Sequence, residues 1–123
     1  PVTGTPWYKS SVTYCEASGI ISAGEFTDLE RPVTRAEMAY IFSRTSLARN
    51  LPEINSLSRV KAAVPDVRTG DYAAAAIFGL YAKGILTGSD GDLTFRPKDS
   101  LTRAEAAAIV SRMARAEQRI TLW

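Results

Sequence analysis

Histidine is absent from this sequence and cysteine occurs once, which excludes several common chemistries. Without histidine there is no Ser–His or Cys–His nucleophile pair and no histidine-ligated metal. Cys15 has no partner for a disulfide within the chain. Paired carboxylates such as Asp90 with Asp92, or Glu37 with Glu105, have plain explanations as turn and cap residues. We therefore expect no enzyme activity, no cofactor and no metal site.

The sequence also lacks a strong charge of one sign and a long apolar run. Its net charge is +2, and no basic stripe is interleaved with aromatic residues, so we expect no nucleic-acid partner. No apolar stretch approaches the length of a membrane span, so we expect no membrane insertion. Pro1 begins the chain without a methionine or a signal peptide. We expect a piece of a longer protein whose targeting segment lies elsewhere.

What the sequence does contain is one motif in two copies, residues 33–37 (Val-Thr-Arg-Ala-Glu) and 101–105 (Leu-Thr-Arg-Ala-Glu). Each copy opens an alanine-rich run with helical spacing. Thr34 with Glu37, and Thr102 with Glu105, have the spacing of a capping box, in which each residue of the pair bonds the other's backbone amide. The motif thus predicts two helix starts, each stabilised by about 1 kcal/mol.

The arginine of the motif does not fit a helix start. Arg35 and Arg103 stand at the first helical position, where the helix dipole favours negative charge. Two interpretations stay open. Each arginine forms an ion pair with an acidic side chain of the same domain, or each binds an anion from outside the protein, since guanidinium groups and free helix amides both bind carboxylates.

The surrounding sequence repeats along with the motif. Gly19 and Gly84, each placed to end a helix, are 65 residues apart, whereas Arg35 and Arg103 are 68 apart. The first copy is therefore three residues shorter between its two helices. Asp71 is predicted to cap the first helix of the second copy. A helix–loop–helix repeat of this size cannot bury its apolar faces alone and must stack on a neighbour.

These patterns predict an all-α fold of tandem helix–loop–helix repeats with short extended loop segments, one of them at residues 93–97. The predicted divisions are residues 1–47, a first repeat that lacks its lead-in; 48–63, a partly helical connector; 64–114, a second repeat; and 115–123, a tail whose apolar residues pack with the connector in the central bundle.

The repeated pattern resembles the S-layer homology family. In the second copy the resemblance rests on residues 64–67 (Val-Pro-Asp-Val), 81–88 (Tyr-Ala-Lys-Gly-Ile-Leu-Thr-Gly), 90–97 (Asp-Gly-Asp-Leu-Thr-Phe-Arg-Pro) and 101–105. In the first copy it rests on Trp7-Tyr8, on residues 18–21 (Ser-Gly-Ile-Ile) and on residues 33–37, with a shortened loop between them.

The resemblance implies a function. Modules of this family attach exported proteins non-covalently to the bacterial cell wall, by binding a secondary cell wall polysaccharide that often carries pyruvylated N-acetylmannosamine. Three repeats form a three-pronged spindle with ligand grooves between the prongs. The expected location is the extracellular cell wall or S-layer, and an upstream part of the same polypeptide or another repeat would supply the missing prong. The alternative is a structural or protein-interaction module without glycan binding.

The resemblance also assigns candidate residues. The motif arginines Arg35 and Arg103 would bind the acidic sugar. Gly88 and Ser89 would offer backbone amides and a hydroxyl, and Lys83, Trp7 and Tyr72 are further ligand-binding candidates. Each has a plain alternative: a turn at Gly88, core packing for the two aromatic residues and a solvated surface position for the lysine. Thr34, Glu37, Thr102 and Glu105 are expected to be structural caps, and Asp66 a turn or cap residue.

Overall fold

A computed structural model describes residues 8–26, 30–88 and 91–123, in two compact units, residues 1–31 and 32–123. The helices among these residues are α1 (Lys9–Ala17), α2 (Arg35–Ser43), α3 (Ser46–Arg49), α4 (Leu57–Ala63), α5 (Ala74–Ala82) and α6 (Arg103–Ala114), with a 3-10 turn at Ala116–Gln118. The described residues form no strand, only an isolated antiparallel bridge between Thr34 and Ser100. The predicted all-α class is confirmed.

The first unit contains α1 and the loop that follows it. Gly19 has a φ of +77° after the end of the helix. Beyond it, the amides of Ile20 and Ile21 both donate to the carbonyl of Cys15, at 2.9 and 3.3 Å. The end of α5 repeats this arrangement 65 residues later, because the amides of residues 85 and 86 both donate to the carbonyl of residue 80. These matched helix ends support the predicted repeat.

In the second unit, α2 and α3 are separate helices. α2 stops at Ser43, and α3 starts after Thr45, whose hydroxyl accepts from the amide of Ala48 at 3.3 Å, so the predicted first repeat contains a break before residue 47. Residues 48–63, the predicted connector, contain α4. Val60 of α4 is fully buried, which ties the connector to the core. The division into two repeats stays a prediction.

The prediction that Asp71 caps α5 is wrong. The residue before the helix is Ala73, which has a φ of +60° and makes no side-chain cap. Asp71 instead accepts a hydrogen bond from the amide of Arg68 at 2.9 Å, closing the turn before it. An aspartate bonds a nearby amide readily in turns, and here that local bond takes precedence over the cap.

The segment at residues 93–97 is a loop and not the extended piece that we predicted. Leu93 and Arg96 have φ angles of +65° and +60°, in the left-handed region. The carboxylate of Asp66 holds the loop by accepting from the amides of Phe95 at 2.9 Å and Arg96 at 2.8 Å. Asp66 lies in a turn, as predicted, and its carboxylate in addition anchors a distant loop.

The core of the second unit lies between α2, α4, α5 and α6. Tyr81 and Phe95 are completely buried and meet edge to face, with ring centroids 6.0 Å apart. The Tyr81 hydroxyl donates to the carbonyl of Leu93 at 2.9 Å. Other large members of this core are Met38, Ile77, Phe78, Leu80, Ile85 and Ile109. The buried aromatic pair fixes the 93–97 loop against the beginning of α2.

The C-terminal tail contacts the connector and the end of α5 through Asn55. The side-chain amide of Asn55 donates to the carbonyls of Tyr81 and Ile120, both at 3.0 Å, and its oxygen accepts from the amide of Leu122 at 2.8 Å. Leu122 reaches the core. Trp123 is 42% exposed, and the guanidinium carbon of Arg59 lies 4.4 Å from the centroid of its ring.

Among the described residues, no helix combines the length and the hydropathy that a membrane span requires.

Candidate anion-binding cleft

Both predicted capping boxes are present. The hydroxyls of Thr34 and Thr102 each accept from the amide three residues later at 3.1 Å, and the carboxylates of Glu37 and Glu105 each accept from the threonine amide at 3.0 Å. The boxes fix the first turns of α2 and α6. They thereby set Arg35 and Arg103 at the first helical position, as predicted.

The two helix starts differ in what their amides bind. At α2 the amide of Arg35 donates to the carbonyl of Asp99 at 2.8 Å, and the amide of Ala36 donates to that of Pro97 at 3.0 Å. The expectation of free amides is therefore wrong at α2. At α6 the amides of Arg103 and Ala104 have no acceptor among the described residues.

The Arg35 side chain is buried, with 6% of its surface exposed. Its Nε donates to the carbonyl of Phe95 at 2.6 Å, and Nη1 donates to Oε2 of Glu105 in an ion pair. The guanidinium carbon lies 5.0 Å from the centroid of the Phe95 ring. The ion-pair interpretation thus describes Arg35, and its binding of an outside anion stays a prediction.

Burial also acts on the protonation of Arg35. The loss of solvent lowers the pKa of the guanidinium from its ordinary value, while the nearby Tyr81 and Asp99 act to raise it. Guanidinium groups remain protonated in proteins at neutral pH. Arg35 therefore contributes a full positive charge in a setting with little solvent to screen it.

A cleft of about 150 Å³ borders this ion pair; we call it the Arg35 cleft. Its lining comprises Arg35, Leu86, Thr87, Gly88, Glu105, Ala108, Ile109 and Arg112. Two guanidinium groups face one carboxylate there, so the charge of the lining is positive. Arg112 is half-buried, and its Nη1 donates to the carbonyl of Ile85 at 3.0 Å.

Arg112 is not among the residues predicted from the sequence, although its position on α6 carries a signal. The α6 residues that line the cleft are at positions 105, 108, 109 and 112. Residues three and four apart on a helix share one face, so extending the face of Glu105 by two turns leads to Arg112. The helical spacing identifies Arg112 as a site residue only when the face of α6 that carries Glu105 is already known to border a cleft.

Gly88 lines the Arg35 cleft, and the binding of a sugar by its amide stays a prediction. Its φ is +85°, and a Cβ atom there would lie 2.7 Å from the carbonyl carbon of Leu93. Only glycine fits this approach of two backbone segments. Ser89 and Trp7, the other candidates from the resemblance, lie outside the described residues.

The remaining candidates lie away from the Arg35 cleft. Arg103 is exposed and does not line it. Tyr72 and Lys83 line a different cleft, of about 620 Å³, between α2 and α5. Tyr72 is 55% exposed, which excludes the core role considered for it, and the Lys83 ammonium donates to the carbonyl of Ala48 at 2.8 Å. Among the described residues, no group of acidic or cysteine side chains is placed to hold a metal ion.

Comparison with known proteins assigns a family to part of the chain. Residues 65–107 match the S-layer homology domain. Over 106 residues the chain is 35% identical to a protein of Acetivibrio thermocellus named "Cellulosome-anchoring protein". The alignment covers 86% of this chain and 23% of that protein, so the chain spans about a quarter of its relative's length. No solved structure matches the chain.

Proposed function

Because residues 65–107 of this chain match the S-layer homology domain, we propose that the chain is a non-covalent anchoring module of an exported bacterial protein. It holds that protein at the cell surface by binding an anionic secondary cell wall polysaccharide, and the acidic group that it recognises is a pyruvylated sugar. The name of the Acetivibrio thermocellus relative, a cellulosome-anchoring protein, supports an anchoring role.

The observation that carries the proposal is the pair of guanidinium groups at the Arg35 cleft. Arginine recognises carboxylates through paired, parallel hydrogen bonds. Nη1 of Arg35 is already bonded to Glu105, so an incoming carboxylate would bind Nη2 of Arg35 together with the guanidinium of Arg112. A volume of about 150 Å³ suits the acidic group, while the sugar that carries it and the rest of the polymer lie outside the cleft.

Arg103 would complete a second site only with further polypeptide. At α2 the first two helix amides bind carbonyls of the 97–99 segment, and Arg35 pairs with Glu105, the glutamate of the other motif copy. The corresponding amides of α6 have no such partner among the described residues, and Arg103 is exposed. Another repeat, from the upstream part of the polypeptide or from a second chain, would supply those carbonyls and that carboxylate.

One observation favours the alternative of a structural module without glycan binding. The ion pair between Arg35 and Glu105 joins the two motif copies, which is what a purely structural arginine would do. Under this alternative the clefts bind no sugar, and the partner of the module is another protein or repeat.

Co-sedimentation with cell-wall sacculi separates the two functions. We expect the chain to sediment with sacculi that retain their polysaccharide and to remain in solution with sacculi stripped of it. Arg112→Gln should lose most of this binding while the chain remains folded, with a modest loss of stability because the bond from Arg112 to the Ile85 carbonyl is removed. Arg115→Gln is the matched control, because Arg115 is an exposed residue beyond the end of α6 that forms an ion pair with the exposed Glu117. Equal binding to both kinds of sacculi would favour the structural module.

A further inference from the structure

We propose that Arg119 and the backbone amide of Ile120, in the C-terminal tail, are positioning groups for the Arg35 cleft. Neither residue lines the cleft. Both hold the turn after α5, and the next carbonyl of that turn binds Arg112, so that they fix the guanidinium assigned to the acidic group. The inference rests on the proposed function, because it names residues on which the affinity of that same site depends.

The turn after α5, residues 83–85, has three carbonyl groups that accept hydrogen bonds from other parts of the chain. The guanidinium of Arg119 donates to the first at 3.2 Å, and the amide of Ile120 donates to the second at 2.8 Å. Nη1 of Arg112 donates to the third at 3.0 Å. Carbonyls at a helix end have no partner within the helix, so these donors help to fix the position of the turn. Two of the donors belong to the tail, and the third belongs to the proposed anion site.

Arg119 also ties this turn to the connector. Its Nη1 donates to the carbonyl of Pro52 at 2.6 Å, so one nitrogen bridges the carbonyls of Pro52 and Lys83. The helix dipole favours a cation at this end of α5. Nε of Arg119 is buried and has no acceptor among the described residues, which lowers stability and offsets part of what the Nη1 bonds contribute. Stability therefore accounts for only part of this arrangement.

The backbone of the tail lies directly on the turn. A Cβ atom added at Gly84 would lie 2.8 Å from the carbonyl oxygen of Ile120 and 2.6 Å from the side chain of Ile54. Contacts this close leave residues 83–85 no room to shift toward the tail or the connector. The tail thus limits the position of the turn by packing as well as by hydrogen bonds.

The turn leads into the wall of the Arg35 cleft. Residues 86–88 follow the turn and line the cleft, and Arg112 reaches the cleft from α6 while bonded to the last carbonyl of the turn. Paired hydrogen bonds from guanidinium groups to a carboxylate require a fixed geometry. Release of the tail would let the turn, the wall and Arg112 move together. We therefore expect changes in the tail to lower the affinity for the acidic group without removing any contact to it.

Two tail variants test this inference, and one of them leaves the charge unchanged. Arg119→Gln removes the guanidinium that binds the Lys83 carbonyl. Ile120→Pro removes the amide that binds Gly84, and the φ of −68° and ψ of 147° at Arg119 suit a residue that precedes proline. In calorimetry, each variant should bind the pyruvylated wall polysaccharide about three- to tenfold more weakly than wild type. The matched controls are Arg115→Gln and Ile120→Ala, which keeps the amide; both should bind like wild type.

A third variant separates positioning from a general loss of stability. Val60 is fully buried in α4, and its apolar side chain donates no hydrogen bond to the turn. Val60→Ala should lower the melting temperature but keep wild-type affinity below that temperature. The second readout is the NMR signal of the Nε–H group of Arg112, assigned by its absence in Arg112→Gln. We expect this signal to shift in Arg119→Gln and Ile120→Pro and to stay in place in Val60→Ala.

The NMR readout needs no polysaccharide, so the two proposals can fail separately. An unshifted Arg112 signal in the tail variants, an equal shift in Val60→Ala, or wild-type affinity in either tail variant would overturn the inference. In the last case, loss of binding in Arg112→Gln would leave the proposed function standing. If the tail variants shift the Arg112 signal but wild type does not bind the polymer, the proposed function fails and the positioning of Arg112 by the tail stands.

Discussion

The carboxylate of Glu105 accepts from the guanidinium of Arg35, which joins the first turn of α6 to the first turn of α2. Its other oxygen caps α6 by accepting from the amide of Thr102 at 3.0 Å. One glutamate thus serves both a local cap and a contact across 70 residues. The arginine of the first motif copy thus forms an ion pair with the glutamate of the second. The motif therefore joins the two copies in addition to starting a helix.

Replacing Glu105 tests how much this contact stabilises the fold. Glu105→Gln keeps the cap acceptor but leaves the buried guanidinium without its counter-charge. Because Glu105 is 33% exposed, we expect the free energy of unfolding to fall by about 1–3 kcal/mol, below the range for fully buried pairs. Urea denaturation measures the change. Glu117→Gln, in an exposed ion pair, should change stability by less than about 1 kcal/mol, and an equal loss in both variants would contradict this role.

Although Glu105→Gln should lower the stability of the fold, it should strengthen binding of the polysaccharide. Glu105 supplies the one carboxylate in the described lining of the Arg35 cleft, and it holds a donor that the sugar acid would otherwise use. With Glu105→Gln, isothermal titration calorimetry below the unfolding temperature should give tighter binding of the acidic polymer, by several-fold. Weaker binding by a folded variant would mean that Glu105 itself contacts the ligand.

Asp66 should be essential for the loop that faces Arg35. Its carboxylate accepts two backbone amides of residues 95 and 96, and Asp66→Ala leaves both without their acceptor. We expect the free energy of unfolding to fall by about 1–3 kcal/mol. Asp66→Asn keeps one acceptor oxygen and should give an intermediate value. Equal stability of the alanine variant and the wild type would show that water replaces these bonds at no cost.

Gly88 and Gly91 lie in the same loop region, so an alanine substitution at Gly91 can serve as the control for one at Gly88. Gly88→Ala places a Cβ 2.7 Å from a backbone carbon and forces alanine to a φ of +85°, so we expect a loss of at least about 1 kcal/mol of stability. A Cβ at Gly91 meets nothing within 4 Å, so Gly91→Ala should change stability by less than about 1 kcal/mol. Thermal unfolding compares the two. A neutral Gly88→Ala would contradict the close approach to Leu93.

Removal of residues 119–123 should destabilise the second unit through Asn55. Asn55 is buried, donates to the Ile120 carbonyl and accepts from the Leu122 amide, so the truncation leaves both of its polar side-chain atoms without these partners. We expect the melting temperature to fall by several degrees, and a similar fall for Asn55→Ala in the full chain. The exposed Asn50→Ala is the control. An unchanged melting temperature after truncation would show that the tail is not part of the packed structure.

The features that the sequence predicted correctly depend on short separations along the chain. A capping box needs two residues three apart, and the glycines that end α1 and α5 lie beside the helices that they end. Local hydrogen bonds and allowed backbone angles decide such features, so residue types alone suffice. The failed cap at Asp71 marks the limit, because two local bonds competed and the sequence did not show which one would form.

The cleft itself depends on contacts between distant residues. Arg35 meets Glu105 across 70 residues, and Asp66 holds amides 29 and 30 residues away. Nothing in the spacing of the motifs reveals which arginine is buried. The asymmetry between Arg35 and Arg103 arises because only α2 has the 97–99 segment packed on its first turn. The sequence therefore predicted both arginines alike, whereas the structure distinguishes them.

The affinity of the chain for the wall polysaccharide before and after removal of its pyruvate groups tests the central claim most directly. With wild type, calorimetry should show that the pyruvylated polymer binds at least tenfold more tightly than the depyruvylated one, and that this preference declines as salt is raised. Arg112→Gln should lose the preference and Arg115→Gln should keep it. Equal affinity of wild type for the two polymers, or an undiminished preference in Arg112→Gln, would contradict the assignment of the Arg35 cleft as the site for the acidic sugar.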